Sequence, residues 1–348
     1  MKALVLKANA ELQLEDRPLP EAFSDNSILI KVAACGICGS DIPRGFHNGA
    51  YHYPLVMGHE FSGIVAEEKP GSKFQKGQPV AIFPLIPSDP TEKAFLTGEY
   101  ALCKSYDYFG SRRDGAFEEY LIVPEVNIFK IPDHVDILHA SMTEPAAVAL
   151  HGVRKMHINA GDTGLVIGGG PIGNMTAQWL RIHGCDPVFI TDIDPRKLKV
   201  ASAMGFEVID SDFENPVKKI MAITAGEGIK RVVEACGLPQ TFLQAIQSAA
   251  TFGEVVFMGN IHGEFKINEE EFSSILRREL SIFGTWNSKI VPSGEDDWST
   301  VLKYMDRELQ VGPLISDVVP LEQGPEIFQS ILEKKRFHNK VIFKIGMP

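Results

Sequence analysis

Between positions 165 and 285 short apolar runs alternate with helix-length amphipathic stretches, which predicts βαβ units and a parallel sheet. The runs are LVIG, PVFITD, FEVID, RVVEAC, EVVFMG and LSIFGT. The intervening helices carry their own boundaries: Asp194 as N-cap, Pro195 at the first helical position and Gly205 past the end, then Asn215, Pro216 and Gly226 in the same roles. Positions 1–146 differ. Strands such as SILIKVAAC, FSGIVAEE, QPVAIFP and EEYLIVP are broken by Gly and Pro turns and predict a mostly β domain. Past 285, helices near 298–307 and 324–333 and a final strand KVIFKI are too few for a core of their own. The expected class is therefore α/β: a mostly β domain over 1–146, a doubly wound dinucleotide-binding domain over 147–285, and a segment 286–348 that completes the first domain.

Composition narrows the function. At 348 residues, with 44% hydrophobic and 23% charged positions, the chain has the length for two cores. A net charge of −11 and a pI near 5.4 disfavour nucleic acid and anionic membrane surfaces, and no basic run offsets them. No apolar span approaches ~18 residues, so a cytoplasmic protein is expected. Five thinly spread cysteines do not make a secreted disulfide framework; reduced thiols or metal ligands remain.

Gly168-Gly169-Gly170-Pro171-Ile172-Gly173 fits G-x-G-x-x-G, a weak pattern alone. Here it follows the strand GLVIG and opens a helix with an apolar stripe of Ile172, Met175, Trp179 and Ile182. Asp192 ends the next strand about 20 residues on. The glycines allow the tight turn and close backbone approach, the helix start faces the pyrophosphate, and Asp192 accepts from the adenosine ribose hydroxyls. A carboxylate there repels a 2′-phosphate, so NAD rather than NADP is expected. Arg196 lies near enough to bear on that choice, as a cofactor contact or as a solvated first-turn residue.

The stretch CGICGSD holds a Cys-x-x-Cys, Cys35 and Cys38, which alone reads as a redox dithiol, half a zinc knuckle, or neither. Later come GHE, with His59 and Glu60, and TEP, with Glu144. A thiolate, an imidazole and a carboxylate from separate loops, with one position left open, describe a catalytic zinc site. Asp41 is placed to hold the second nitrogen of His59.

The string GICGSD…GHEFSG…DGAFEEYLIVP…EPAAVALHG…VIGGGPIG resembles the zinc-dependent medium-chain dehydrogenase superfamily over essentially the whole chain. CGSDIPRGFHNGAYHYPLVMGHEFSG with YFGSRRDGAFEEY is similar to its polyol-phosphate dehydrogenases of the galactitol 1-phosphate type. The resemblance implies a GroES-like β domain, a Rossmann domain, an active site in the cleft between them, and a homo-oligomer. It implies zinc on Cys38 and none on Cys35, a packing residue like Cys185 and Cys236. It implies Cys38, His59 and Glu144 as ligands, with Glu60 exchanging or in support. Ser40 would take the substrate hydroxyl proton, and Pro43 stands where many relatives carry a relay histidine. Relatives also bind a structural zinc with four cysteines. The matching stretch, 87–103, keeps only Cys103, with Asp89, Glu92 and Phe95 near the other ligand positions, so one zinc per chain is expected and Phe95, Leu96 and Tyr100 would anchor that lobe by packing. A phosphorylated substrate would call on Arg44, Arg112 or Arg113.

The activity implied is NAD-dependent oxidation of a secondary alcohol of a polyol phosphate to a keto sugar phosphate. The alternatives are a free polyol such as sorbitol or arabitol, or another phosphate such as arabitol phosphate. A nucleotide-binding protein without catalysis would not need Cys38, His59, Glu144 and Ser40 together. A thiol oxidoreductase would need the Cys35–Cys38 pair as its centre.

Overall fold

Along Ser27–Gly36 the residues Ile28, Ile30 and Val32 are buried and Ser27, Leu29 and Lys31 half-buried, the period of two that one covered sheet face imposes. From Val32 to Gly36 every residue is buried, as the strand runs into the loop that carries Cys38. The computed structural model describes residues 1–21, 26–67, 71–291 and 295–346. The chain divides into two units, one of Met1–Pro145, Ser288–Arg307 and Ile315–Pro348, the other of Ala146–Asn287 and Glu308–Leu314.

In the first unit Ser27–Gly36 is central to a seven-stranded sheet. The order is Ile128–Lys130, Pro79–Ile82, Glu60–Val65, Ser27–Gly36, Lys340–Lys344, Ile315–Pro320, with Tyr120–Pro124 also paired to Ser27–Gly36. Two pairings fix the candidate site: Glu60 stands opposite Gly36, and Ile342 of the last strand stands opposite the same glycine. The core joins Leu4, Leu6, Ile30, Phe61, Phe117, Phe328 and Phe343, with Phe117 edge-on to Phe343 at 5.0 Å.

The second unit is a six-stranded parallel sheet in the order Glu207–Asp210, Val188–Asp192, Gly164–Ile167, Ile229–Glu234, Ala249–Phe257, Ser281–Gly284. Gly164–Ile167 and Val188–Asp192 are buried throughout, which is why they read as unbroken apolar runs rather than alternating ones. Helix boundaries follow their signals: Asp194 caps Pro195–Ala203 by accepting from Arg196 N, and Asn215 caps Pro216–Ile223 by accepting from Lys218 N.

Three expectations need correction. The helix Pro171–Ile182 is not buried on a stripe alone. Met175 and Trp179 are fully buried and Ile172 and Ile182 only partly, while Asn174, Thr176 and Gln178 are buried too. Their polar atoms are matched: Asn174 Nδ2 donates to Gly169 O at 2.6 Å, Thr176 Oγ1 to Ile172 O at 2.8 Å, and Gln178 Nε2 to Gln310 O at 3.0 Å. That last residue explains the second correction, for Glu308–Leu314 belongs with the parallel sheet and not with the first domain. Gln310 N donates back to Gln178 Oε1 at 2.7 Å, and Leu309, Val311 and Leu314 are fully buried. The third concerns the lobe at 87–103. Phe95 stacks on Tyr100 at 5.0 Å and Tyr100 sits edge-on to Phe83, but Leu96 is 68% exposed and anchors nothing. Asp89 is occupied by Thr91 and Glu92 by Lys104 N, while Cys103 is buried, its thiol pushed up by burial and by the charges of Glu92 and Asp89. Among the described residues no helix is long and apolar enough to cross a membrane.

Candidate active site

The pairing of Glu60 with Gly36 brings the loop after one strand against the loop before the other, and with them Cys38 and His59. Ligand atoms of Cys38, His59 and Glu60 lie within 4.8 Å of one another. His59 Nδ1 is buried without a hydrogen-bond partner. The Cys38 thiol is pushed far up by burial and by the charges of Glu60 and Asp41, so it ionises only where a cation supplies the opposite charge. A soft thiolate, an imidazole and a carboxylate so placed fit zinc.

Asp41 does not hold His59. Its Oδ1 lies 3.6 Å from His59 Nδ1, too far for a hydrogen bond, because that oxygen faces the Arg44 guanidinium at 2.9 Å. The other oxygen, Oδ2, accepts from Cys38 N at 3.0 Å, so Asp41 fixes the loop of the cysteine and not the tautomer of the histidine.

Glu144, in the first turn of Thr143–Val153, is buried beside this group and outside the mutual 4.8 Å cluster. It accepts from Tyr108 Oη at 3.1 Å, and the Tyr108 ring stands edge-on to His59 with centroids 5.6 Å apart. Burial raises the Glu144 carboxyl to about 7; His59, Lys340 and the Tyr108 bond oppose that rise while Glu60 adds to it. Ser40 is exposed, and its hydroxyl is not spent on capping the short helix Asp41–Phe46.

Two members of the site escaped the sequence reading. Lys340, buried at the start of the last strand, pairs its Nζ with Glu60 Oε2 and donates to Ile37 O at 3.0 Å. Burial would lower its pKa, but Glu60, Cys38 and Glu144 outweigh that and keep the ammonium charged. The other is Tyr108. A lysine just before the apolar run Val341–Phe343 was the available signal for the first; the second carried none beyond its place in YFGSRRDG.

The arginines differ in position. Arg44 is held on Asp41 beside the cysteine loop. Arg112 stacks over Tyr51 and Tyr106 and donates to Tyr106 O, and Arg113 pairs with Asp107 at 3.3 Å. Both line a cavity of about 910 Å³ with Arg17, His52, Asp114 and Glu118; Cys38, His59, Glu60 and Glu144 are not in its lining.

In the second unit the glycine-rich turn has the geometry of a phosphate cradle. A Cβ on Gly173 would fall 1.7 Å from Gly168 O, so the helix packs on the turn only because that position is glycine. Gly170 is the N-cap with open space where a side chain would be, and Pro171 takes the first helical position. Asp192 is buried; it accepts from Gly169 N and Asp194 N at 2.8 Å each and pairs with Lys197 at 3.3 Å. A carboxylate has about four acceptor sites and these donors fill three, so one remains for a ribose hydroxyl. Arg196 grips both oxygens of Asp194, at 2.9 and 2.7 Å, and its bonds pull that carboxyl down to about 2.

A nucleotide cradle on a doubly wound sheet and a buried thiol–imidazole–carboxylate group define a metal-dependent dehydrogenase. Residues 24–133 match the model of the alcohol dehydrogenase GroES-like domain and residues 171–307 that of the zinc-binding dehydrogenases. Galactitol 1-phosphate 5-dehydrogenase of Escherichia coli (strain K12) is 31% identical over 91% of this chain and 92% of its own. The crystal structure of galactitol-1-phosphate dehydrogenase from Escherichia coli superposes with a TM-score of 0.92 at 30% identity, covering 99% of this chain and 100% of that one. Sorbitol dehydrogenase of Bacillus subtilis (strain 168) is 28% identical over 98% of this chain and 96% of its own. A zinc-binding dehydrogenase from Sinorhizobium meliloti 1021, solved bound to NADP, has a TM-score of 0.87 at 27% identity, covering 99% and 98%. The chain belongs to the zinc-binding alcohol and polyol dehydrogenase family.

Proposed function

We propose that this enzyme oxidises a secondary alcohol of a polyol phosphate of the galactitol 1-phosphate kind to the keto sugar phosphate, with one zinc and NAD, in the cytoplasm. The grouping of Cys38, His59 and Glu60 beside Glu144 carries the reading. Zinc, when bound, lowers the pKa of a hydroxyl near it and so eases loss of the proton. Cys38 and His59 hold the ion, with Glu144 or Glu60 as the carboxylate. Lys340 neutralises Glu60 when that carboxylate faces away, and the exposed Ser40 hydroxyl takes the substrate proton toward solvent. Asp192 holds the adenosine ribose, and the alignment of nicotinamide carbon and substrate carbon is left to the protein.

A free polyol is the second reading, favoured by the arginines: Arg44, Arg112 and Arg113 are each already engaged, with Asp41, with Tyr106 and with Asp107. Arg44, beside the cysteine loop, is the phosphate contact we assign. A panel of free and phosphorylated polyols assayed by NADH formation separates the two: a kcat/KM favouring the phosphates by at least about tenfold and lost in Arg44→Ala supports the phosphate. Equal rates on free polyols would reject it.

NAD over NADP rests on Asp192. Asp192→Ala should weaken NAD binding and narrow the preference against NADP, because it removes the ribose acceptor and the repulsion of a 2′-phosphate. Lys197, freed from its pair, adds to the shift toward NADP. An unchanged preference in the titration of both cofactors would refute the ribose assignment.

A further inference from the structure

The strand Ile229–Glu234 ends on a carboxylate that neither the glycine motif nor the metal group uses. Glu234 is fully buried and stands beside Ile167 in the parallel pair, where the strand order reverses between Gly164–Ile167 and Ile229–Glu234. Open sheets of this kind bind their ligand outside the carboxyl ends of the strands at that reversal. Glu234 Oε1 accepts from Cys236 N and Gly237 N at 2.8 Å each and from Thr241 Oγ1 at 2.6 Å. Oε2 is buried and accepts nothing. Among the described residues no lysine, arginine or histidine forms a salt bridge with it; Lys197, on the adjoining part of the crevice, is paired with Asp192.

Backbone turns and the Thr241 hydroxyl enclose this carboxylate. A Cβ on Gly259 would fall 2.2 Å from Gly237 N and 2.6 Å from Glu234 Oε2, so the turns after two neighbouring strands close over it only as glycines. An ionised carboxylate buried without a cation is costly, and removing its charge for a side chain of like shape is often neutral or stabilising. At the ligand-binding reversal, a cation that comes with the ligand would meet that cost.

The dinucleotide supplies one. A pyrophosphate at the start of Pro171–Ile182 and an adenosine ribose on Asp192 would leave the nicotinamide half for the other side of the reversal, the side of Glu234. The oxidised nicotinamide ring carries a positive charge and the reduced ring none. Resting on the reading of this crevice as a dinucleotide site, we propose that Glu234 is the counter-charge of the oxidised nicotinamide and sets the relative affinity for NAD⁺ and NADH.

Calorimetric titration of the full chain with NAD⁺, NADH and AMP tests this. Glu234→Gln keeps the shape and the acceptor for the three donors while removing the charge, and Glu234→Met is a second uncharged variant should the first not fold. Each should raise Kd(NAD⁺)/Kd(NADH) by at least about tenfold, the effect of one charge roughly 12 Å away at an effective dielectric near 20, and leave AMP binding unchanged. Thr241→Val, which loses a hydrogen bond but keeps the charge, should leave the ratio as it is. A merely structural Glu234 would weaken NAD⁺ and NADH alike, and an unchanged ratio in the uncharged variants overturns the proposal. Failure of the wild-type chain to bind AMP or NADH would be a different result, sinking the dinucleotide reading and this inference with it.

Discussion

Cys38→Ala should remove both the bound zinc and the activity, with kcat/KM falling by at least about 10³-fold, the effect of losing several kcal/mol of charge stabilisation. Cys35→Ala should keep most turnover. The two thiols share a Cys-x-x-Cys, but their surroundings separate them. Cys38 is grouped with His59 and Glu60, and Asp41 holds its backbone N–H. Cys35 is fully buried in the strand, its Sγ packed where a Cβ on Gly58 would come within 2.9 Å. Burial, Asp41 and Glu60 push its thiol far above the usual range, so it stays protonated and inert. Its truncation costs stability on the order of 1 kcal/mol. Elemental analysis alongside kinetics checks this: one zinc per wild-type chain, none in Cys38→Ala and one in Cys35→Ala. Equal losses from both variants would restore the dithiol as the centre, and zinc retained by Cys38→Ala would reveal a second metal site.

Lys340→Met should destabilise the zinc-free protein by about 3–5 kcal/mol, because it leaves Glu60 ionised and buried with its partner gone. The penalty should shrink once zinc is bound, since the carboxylate then has a second cation to turn to. Adding Glu60→Leu should recover most of the loss, as removing both members of a buried pair costs far less than removing one. Denaturant unfolding of the chelated and zinc-loaded forms measures all of this. A loss identical with and without zinc would mean that Glu60 never faces the metal.

Local signals in the sequence were most informative where each residue's role is decided within one element. Asp194, Pro195, Asn215 and Pro216 mark helix starts because a cap is made by the residues next to it. The buried strands of the parallel sheet show as apolar runs for the same reason. Cys38, the adjacent His59 and Glu60, and Glu144 were legible as ligand types in three separate stretches, and the antiparallel pairing of Glu60 with Gly36 is what groups the first three. What was hidden depends on partners far away in the chain. Lys340 reads as one more surface lysine until its strand is laid beside Gly36, 280 positions from Glu60. Gln310 reads as a tail residue until Gln178 takes both its backbone groups. Asp41 was assigned to His59 on spacing alone, and the competitor, Arg44, was three residues away on the same helix. Charge competition of that kind has no signature in a pattern of types.

We propose that one zinc, held by Cys38 and His59, and a nicotinamide dinucleotide together drive alcohol oxidation on this chain. The most direct test is the rate of NADH formation from the best polyol of the panel, measured before chelation, after dialysis against a chelator, and after return of one equivalent of zinc. Activity should be lost on chelation and restored by that single equivalent in the wild type, with no restoration in Cys38→Ala. NADH formation that persists in chelated protein shown to be free of metal would contradict it.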